Sequence, residues 1–463
     1  LYVLGNSFDR TLKEWESFFK SRYTRDADGR DSLFGAALTI KNKRNTPISN
    51  VKLSPNGKHL AYVQNEIGKI KVFLYDLEEN TKKQIFKSGF RNAFQATDYN
   101  YPLIAWKPNG AELSILYEKR DVAYLYTLDI DTDLNTTEPL DPQYMRVLSM
   151  DYFTNTKMVF SAIVNGYSDL FIYQTLNRQT QRITQDFYDD LDARVVRTDN
   201  QLGVLFASNR TEIDIKNEKL DTILPITKMD IWYYDLENRS RELIQITNTP
   251  LANERQPVGV DTTYFSYLSD ETGIRNRYSG QFEEYIAHYN QRIIFKDETE
   301  VVIHQDSTLE RLDSTLIVDI QIEPVIKKRA VNTINTNQTR NIELQDILGS
   351  KAINMAVVDG EHALFIDEYS PLSVGSPKKT VFIEQIEKFG GISGFSNTPQ
   401  VIEDDTVLAP EKETKIEVQE EEDPEEEIDI DNYSFQSEFD DPDNIIPLDE
   451  YLETEEVSSV FDK

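Results

Sequence analysis

The stretch LSPNGKHLAYV, Leu53 to Val63, returns from Trp106 onward as WKPNGAELSILY. Each copy places a Pro-Asn-Gly corner ahead of a run of strand-forming residues. Pro55 presets φ, and Gly57 accepts the positive φ that a tight turn demands. Leu60 and Tyr62, then Val72 and Leu74, alternate with period two, the pattern of half-buried strands. FLYDLEENTKKQIF closes the unit with a strand, a polar turn and another strand. One unit thus holds turn, strand, turn, strand, turn, strand in about 45 residues, a propeller-blade period.

Further copies follow. AELSILYE pairs with AYLYTLDIDTD; TKMVFSAIVNGYSDLFIYQTLNRQTQRIT is a third unit. NQLGVLFASNR leads, after an insertion between Arg210 and Lys228, to DIWYYDLENRSRELIQIT. TTYFSYLSDETGIRNRYSG is a fifth unit, and NMAVVDGEHALFI with KKTVFIEQI a sixth. Equivalent positions fall at Leu60, Leu113, Met158, Leu202, Tyr264 and Ala363, spaced 53, 45, 44, 62 and 99 residues. The first three spacings suit one four-stranded blade each. The last means an elaborated fifth blade or a missed one, so the expectation is an all-β, six-bladed β-propeller, with seven blades as the alternative. Blades packed radially protect one another's strand edges.

Composition agrees. At 39% hydrophobic, with 24 Tyr and 23 Phe, the 463-residue chain can build a core that leans toward strands. No stretch approaches 18 consecutive apolar residues, so no helical membrane span is expected. The net charge of −32 is uneven, because residues 401–463 hold 25 acids against 3 Lys. Phosphate backbones are repelled by such a chain, and nucleic acid is not an expected partner. The absence of Cys excludes disulfides, thiolate catalysis and Cys-ligated zinc. The opening LYVLGNSF, without Met or an apolar leader, reads as part of something longer.

The units LSPNGKHLAYV…FLYDLEENTKKQI, AWKPNGAELSILYE…AYLYTLDI and DIWYYDLENRSRELIQITNTP resemble the repeats of TolB-like β-propellers over roughly residues 48–388. They are also similar to propellers of the dipeptidyl-peptidase kind. LANERQPVGVDTTYFSYLSDETGIRNRYSG resembles the propeller region of large cell-envelope proteins of Bacteroidota, in which an outer-membrane barrel can follow. The tail segment IDIDNYSFQSEF is similar to the connection before such a barrel. The resemblance implies a periplasmic, outer-membrane-associated protein whose partners are envelope proteins.

Three regions follow: a helical arm over 1–47, the propeller over 48–388, and an acidic flexible tail over 389–463. In the arm, Phe8, Leu12, Trp15, Phe18 and Phe19 share helical spacing, with Asn6 or Ser7 as N-cap. Its GNSF start resembles the end of a gluzincin-like peptidase domain, although the HExxH motif is absent. The plainer alternative is a helix packed on the ring. In the tail, EVQEEEDPEEEIDIDN cannot bury enough apolar surface to fold. Tyr433, Phe435, Phe439, Ile445, Ile446, Leu448, Tyr451 and Leu452 then suit either a short docking segment or a solvated tail.

Candidate chemistry is sparse. Gly391-Ile392-Ser393-Gly394-Phe395 lacks the last glycine of the nucleophile elbow G-x-S-x-G. His59, His288, His304 and His362 show neither HxH nor HExxH spacing. Asp129, Asp131, Asp133 and Asn135 alternate like a calcium loop, but Leu134 stands where its glycine belongs, so a polar blade turn is the better reading. No catalytic, cofactor-binding or metal residue is assigned, and no cofactor is expected. The expected function is a non-enzymatic protein-binding scaffold in envelope export or outer-membrane assembly. The alternative is the propeller part of a larger metallopeptidase-like or barrel protein.

Overall fold

The Ser54-Pro-Asn-Gly corner closes as its residues require. Gly57, at φ 68°, donates its N–H to the Ser54 carbonyl at 2.8 Å, and the His59 N–H reaches Ser54 Oγ at 2.9 Å. Gly110, at φ 72°, repeats the turn with Lys107 at 2.9 Å. Each corner joins the first two strands of a blade.

The computed structural model describes residues 7–31, 35–38, 40, 46–94, 96–198, 201–215, 228–307, 316–375 and 377–388. All lie in one compact unit, Leu1–Ser396; a second, Asn397–Lys463, falls outside the described residues. Helix α1 (Phe8–Ala27) and strand β1 (Ala36–Ala37) come first. Blade one is β2 (Ile48–Leu53), β3 (His59–Glu66), β4 (Lys69–Asp76) and β5 (Lys82–Ser88). Blade two is β6 (Leu103–Trp106), β7 (Glu112–Lys119), β8 (Val122–Asp129) and β9 (Asn135–Pro139). Blade three is β10 (Arg146–Thr154), β11 (Lys157–Val164), β12 (Tyr167–Gln174) and β13 (Gln179–Arg182). Blade four is β14 (Asp190–Thr198), β15 (Gln201–Ser208), β16 (Asp230–Asp235) and β17 (Ile244–Gln245). Blade five is β18 (Glu254–Gly259), β19 (Tyr264–Ser269), β20 (Asn276–Phe295), β21 (Glu300–His304) and β22 (Ile317–Ile334). Blade six is β23 (Leu344–Leu348), β24 (Lys351–Val358) and β25 (Glu361–Glu368), and helix α2 (Val381–Lys388) follows.

The six sheets are antiparallel and form a ring. Inner strands β2, β6, β10, β14, β18 and β23 neighbour one another in that order, and β23 neighbours β2. Apolar clusters fill the junctions between blades. Leu60 and Tyr62 on β3 pack toward blade six with Ile353 and Met355, while Ala61 and Val63 pack toward blade two with Trp106 and Leu113. The central strands are therefore buried on both faces, not one, because a blade in a ring is covered by neighbours on each side.

Blade six departs from the sequence reading. Ala363 lies on β25, the third strand; Ala352, second residue of β24, is the true equivalent of Leu60. Within KKTVFIEQI, Val381 to Ile386 belong to α2 instead of forming a strand. The outer strand comes from the other end of the chain, as Ala36 and Ala37 pair with Ile366 and Phe365. The ring thus begins inside the segment 1–47. A two-residue strand shows no periodicity, which is why it escaped notice.

The interval of 99 residues is resolved in blade five. β20 runs 20 residues and β22 18, paired from Tyr278↔Ile334 to Phe295↔Ile317 with register shifts between Ile286 and His288 and between Ile294 and Phe295. Their blade-proximal ends serve the blade; their distal ends, with β21 on the far edge of β20, form a three-stranded ribbon beyond it. The described residues form six blades.

Helix α1 is capped by Ser7, whose Oγ accepts the Arg10 N–H at 3.4 Å. Its C-terminal end is tied to the chain before and within α2. Asp26 Oδ1 accepts the Val381 N–H at 2.9 Å, and Arg22 donates to Gln385 at 3.0 Å. Phe8, Leu12, Trp15 and Phe18 remain exposed, so the alternative of this stripe packing on the ring does not hold. The tail and its elbow-like Gly391–Phe395 lie outside the described residues, as do 216–227 of the blade-four insertion.

Candidate functional site

Where the inner strands meet the channel, four of the six break register. The breaks lie between Ser49 and Val51, Val147 and Ser149, Leu191 and Arg194, and Arg255 and Val258. At three of them a non-glycine residue takes a left-handed backbone: Asn50 at φ 52°, Asp192 at 55° and Gln256 at 52°. Each such residue costs on the order of 1 kcal/mol or more, and strain of this kind concentrates where side chains are re-aimed for function.

The re-aimed side chains stitch the ring. Asn50 donates from blade one to the Asn100 and Pro102 carbonyls at the start of blade two, at 2.9 and 3.0 Å. The Tyr101 hydroxyl accepts the Val147 N–H at 3.0 Å, joining blades two and three. Ser149 Oγ accepts the Ala193 N–H at 2.8 Å, joining three and four. Asp192 of blade four accepts Arg255 Nε at 2.6 Å and the Gln256 N–H at 3.0 Å. Gln256 donates to the Glu343 carbonyl at 2.7 Å, beside β23 of blade six. Asp346 Oδ2 accepts the Leu53 N–H at 2.7 Å and completes the circle.

These strands enclose a cavity of about 400 Å³ at the mouth of the channel. Lys52, Arg146, Arg194 and Arg255 line it, against Asp192 as the one lining acid among the described residues. Arg146 pairs with Asp98 and lies over the Tyr101 ring, 4.8 Å from its centroid. Arg194 sits between two acids, 2.6 Å from Asp346 and 3.6 Å from Asp151.

Burial raises all three carboxyls here, and the partners each one meets decide which ionises. It pushes Asp151 up to about 7, with the Asp346 charge adding and the Val195 N–H opposing. Asp346 is raised too, again by burial, although Arg194 pulls the other way. At Asp192 burial also raises, but the Arg255 guanidinium and the Gln256 N–H outweigh it, and the carboxyl is held below its ordinary value. The channel thus contains one firmly ionised pair and one Arg shared by two reluctant acids.

Sequence-nominated residues are not gathered here. His59 lies beside Asp76 at 3.6 Å, and His362 meets the Ile48 N–H at 3.1 Å. His288 and His304 stack on the blade-five ribbon, 4.7 Å apart. Among the described residues no three His, Cys, Asp or Glu side chains are placed to hold a metal ion. Asp129 caps its own turn by accepting the Asp131 and Thr132 N–H groups at 3.1 and 2.8 Å, while Asp133 pairs with Lys83 at 2.8 Å.

Sequence reading missed the channel residues and a buried ion cluster. Arg210, after β15, has no exposed side-chain surface and binds Asp190 at 2.8 Å and Asp186 at 3.4 Å, under the ring of Tyr188. The cluster clamps blade four to the segment that leads into it. Its only sequence signal is an Arg directly ending an apolar strand, FASNR.

No protein-family model matches this chain, and no curated protein matches it. Solved structures similar to it include TolB from Acinetobacter baumannii, at 13% identity and TM-score 0.38, covering 51% of this chain and 52% of that one. The match spans about half of that TolB. The β-propeller domain of the Trilobed protease from Pyrococcus furiosus is similar at 11% identity and TM-score 0.39, covering 73% of this chain and 98% of that one. Porphyromonas gingivalis dipeptidyl peptidase 4 is similar at 10% identity and TM-score 0.29, covering 54% and 41%. The six sheets and their closed ring, rather than these likenesses, define the fold.

Proposed function

We propose that the ring is a non-enzymatic binding module of a bacterial envelope, holding an extended, carboxylate-bearing segment of a partner protein at its channel mouth. The observation that supports this is the lining itself: four cations and one acid, in a chain of net charge −32. Arg146, Arg194 and Arg255 are each paired with an acid, and Lys52 lines the same mouth, so an incoming carboxylate meets fixed guanidinium donors and shares them with the acids already there. Stitching of all six junctions keeps that mouth rigid, so binding need not order it. The envelope setting, periplasmic and associated with the outer membrane, comes from the resemblance of the repeats to TolB. No helix among the described residues is long and apolar enough to cross a membrane.

A photo-crosslinking residue replacing Ser149, which lines the cavity, tests the reading against one replacing Thr136 on the exposed outer strand β9. One protein adduct at Ser149, absent at Thr136 and lost with Arg146→Glu, is expected from envelope preparations. Equal labelling at both positions overturns it, as does peptide or ester hydrolysis abolished by channel substitutions.

A second reading, that this propeller belongs to a larger peptidase-like or barrel protein, draws support from helix α1. Its exposed Phe8, Leu12, Trp15 and Phe18 form a stripe suited to another domain.

A further inference from the structure

Arg146 pairs with Asp98 and Arg255 with Asp192, but Arg194 stands between two acids and holds them unequally. Its Nη2 donates to Asp346 Oδ1 at 2.6 Å, and Asp346 Oδ2 also accepts the Leu53 N–H at 2.7 Å. Asp151 lies 3.6 Å from Nε, past hydrogen-bond length, and its Oδ2 is held instead by the Val195 N–H at 2.9 Å. Arg194 Nη1 is buried and has no hydrogen-bond partner among the described residues. The side chain lines the cavity and is 14% exposed. A guanidinium with an unspent donor thus sits at the mouth, beside an acid that it holds only through space.

We propose that the mouth takes its carboxylate together with a proton: the incoming group binds Arg194, and Asp151 is protonated from solvent as it arrives. This rests on the carboxylate-binding reading above and adds its control by pH. Three carboxylates around one half-buried guanidinium do not all stay ionised, because like charges a few ångströms apart raise one another. Asp346 is not the one that yields, since Arg194 and Leu53 both donate to its charged form. Asp151 has no such bond from Arg194, and burial already pushes it up to about 7.

The groups that face Asp151 are Arg194 and the Val195 N–H of β14 and Asp346 of β23, while its neighbour on β11 is the apolar Val159. Lys52 of β2 adds a positive charge to the same cavity, and Asp192 is engaged by Arg255 at 2.6 Å. Protonated Asp151 leaves Arg194 to the ligand. Affinity is therefore full well below pH 7 and falls about tenfold for each unit of pH above it.

The test uses the full chain and, as probe, an end-capped oligo-aspartate peptide, whose carboxyls stay ionised from pH 6 upward. Titration calorimetry is expected to show roughly 30-fold weaker binding at pH 8.5 than at pH 6. Buffers of different ionisation enthalpy are expected to report about one proton taken up per peptide at pH 8.5. Asp151→Asn keeps an oxygen for the Val195 N–H and removes the titration. It is expected to bind at pH 8.5 as wild type does at pH 6, without proton uptake. Glu254→Gln, which does not line the cavity, is expected to keep the wild-type pH dependence. Equal wild-type binding at the two pH values, or a wild-type slope persisting in Asp151→Asn, overturns the proton coupling and leaves the carboxylate reading standing. A wild-type chain that does not bind the peptide at pH 6 overturns both.

Discussion

Arg194 on β14 reaches Asp346 on β23, Nη2 to Oδ1 at 2.6 Å, so that blade four touches blade six past the inner strand of blade five. The same Asp346 accepts the Leu53 N–H of blade one. One carboxylate thus ties three blades, and its charge is balanced by an Arg that Asp151 also approaches.

Removing that Arg leaves two buried acids without a cation. Arg194→Met is expected to destabilise the ring by about 3–5 kcal/mol at pH 8, the range for breaking a buried pair. At pH 5 the loss is smaller, because Asp151, already raised to about 7, and Asp346 can hold protons. Urea unfolding at the two pH values measures the difference; equal losses would show that charge is not the cause.

Glu254 sets a second pH response. Burial, with Asp230 and Asp270 nearby, pushes it up to about 8, against the Thr249 and Ser269 hydroxyls that bind it at 2.6 and 2.8 Å. An acid whose folded value lies above its unfolded one favours the native state while protonated. Its contribution is full below about 4.5 and declines as pH rises through about 8. Glu254→Gln keeps the accepting oxygen and removes the titration. The variant is expected to melt higher than wild type at pH 8.5 and close to it at pH 5. A higher wild-type melting temperature at pH 8.5 would refute the assignment.

Ring closure depends on room beside Gly35. A Cβ there would stand 2.3 Å from the Ile366 carbonyl oxygen, and φ is +97°. Gly35→Val is therefore expected to unseat β1 and lower stability by roughly 1–3 kcal/mol. Amide exchange should quicken along β25 while β10 and β11 keep their protection. Uniform quickening across all blades would mean that closure and global stability are one event.

Trp106 fills the junction between blades one and two, 6% exposed, with Nε1 donating to the Lys52 carbonyl at 3.2 Å. Trp106→Ala is expected to cost about 3–5 kcal/mol, read as a shift of the denaturation midpoint with unchanged slope. Leu60→Ala, fully buried at the junction with blade six, should cost about 2–5 kcal/mol.

The repeat made the blades legible wherever turn chemistry and alternation were both present, as at Ser54–Gly57 and Trp106–Gly110. Blade six was harder, because its strands come from both chain ends and Ala36–Ala37 carries no pattern. The channel could not be read at all. Asn50, Asp192 and Gln256 are unremarkable in a one-dimensional text, and nothing local marks them as equivalent positions on three inner strands.

By itself the sequence determined the units: where the chain turns, which stretches extend, and that their apolar residues must be buried against like neighbours. Those are local consequences of proline, glycine and period-two alternation, felt within a few residues. Tertiary structure alone decided which acid meets which Arg, which end closes the ring, and which guanidinium two acids share. Charge and contact act through space, and residues 152 apart in the chain, as Arg194 and Asp346 are, become neighbours only when the ring shuts.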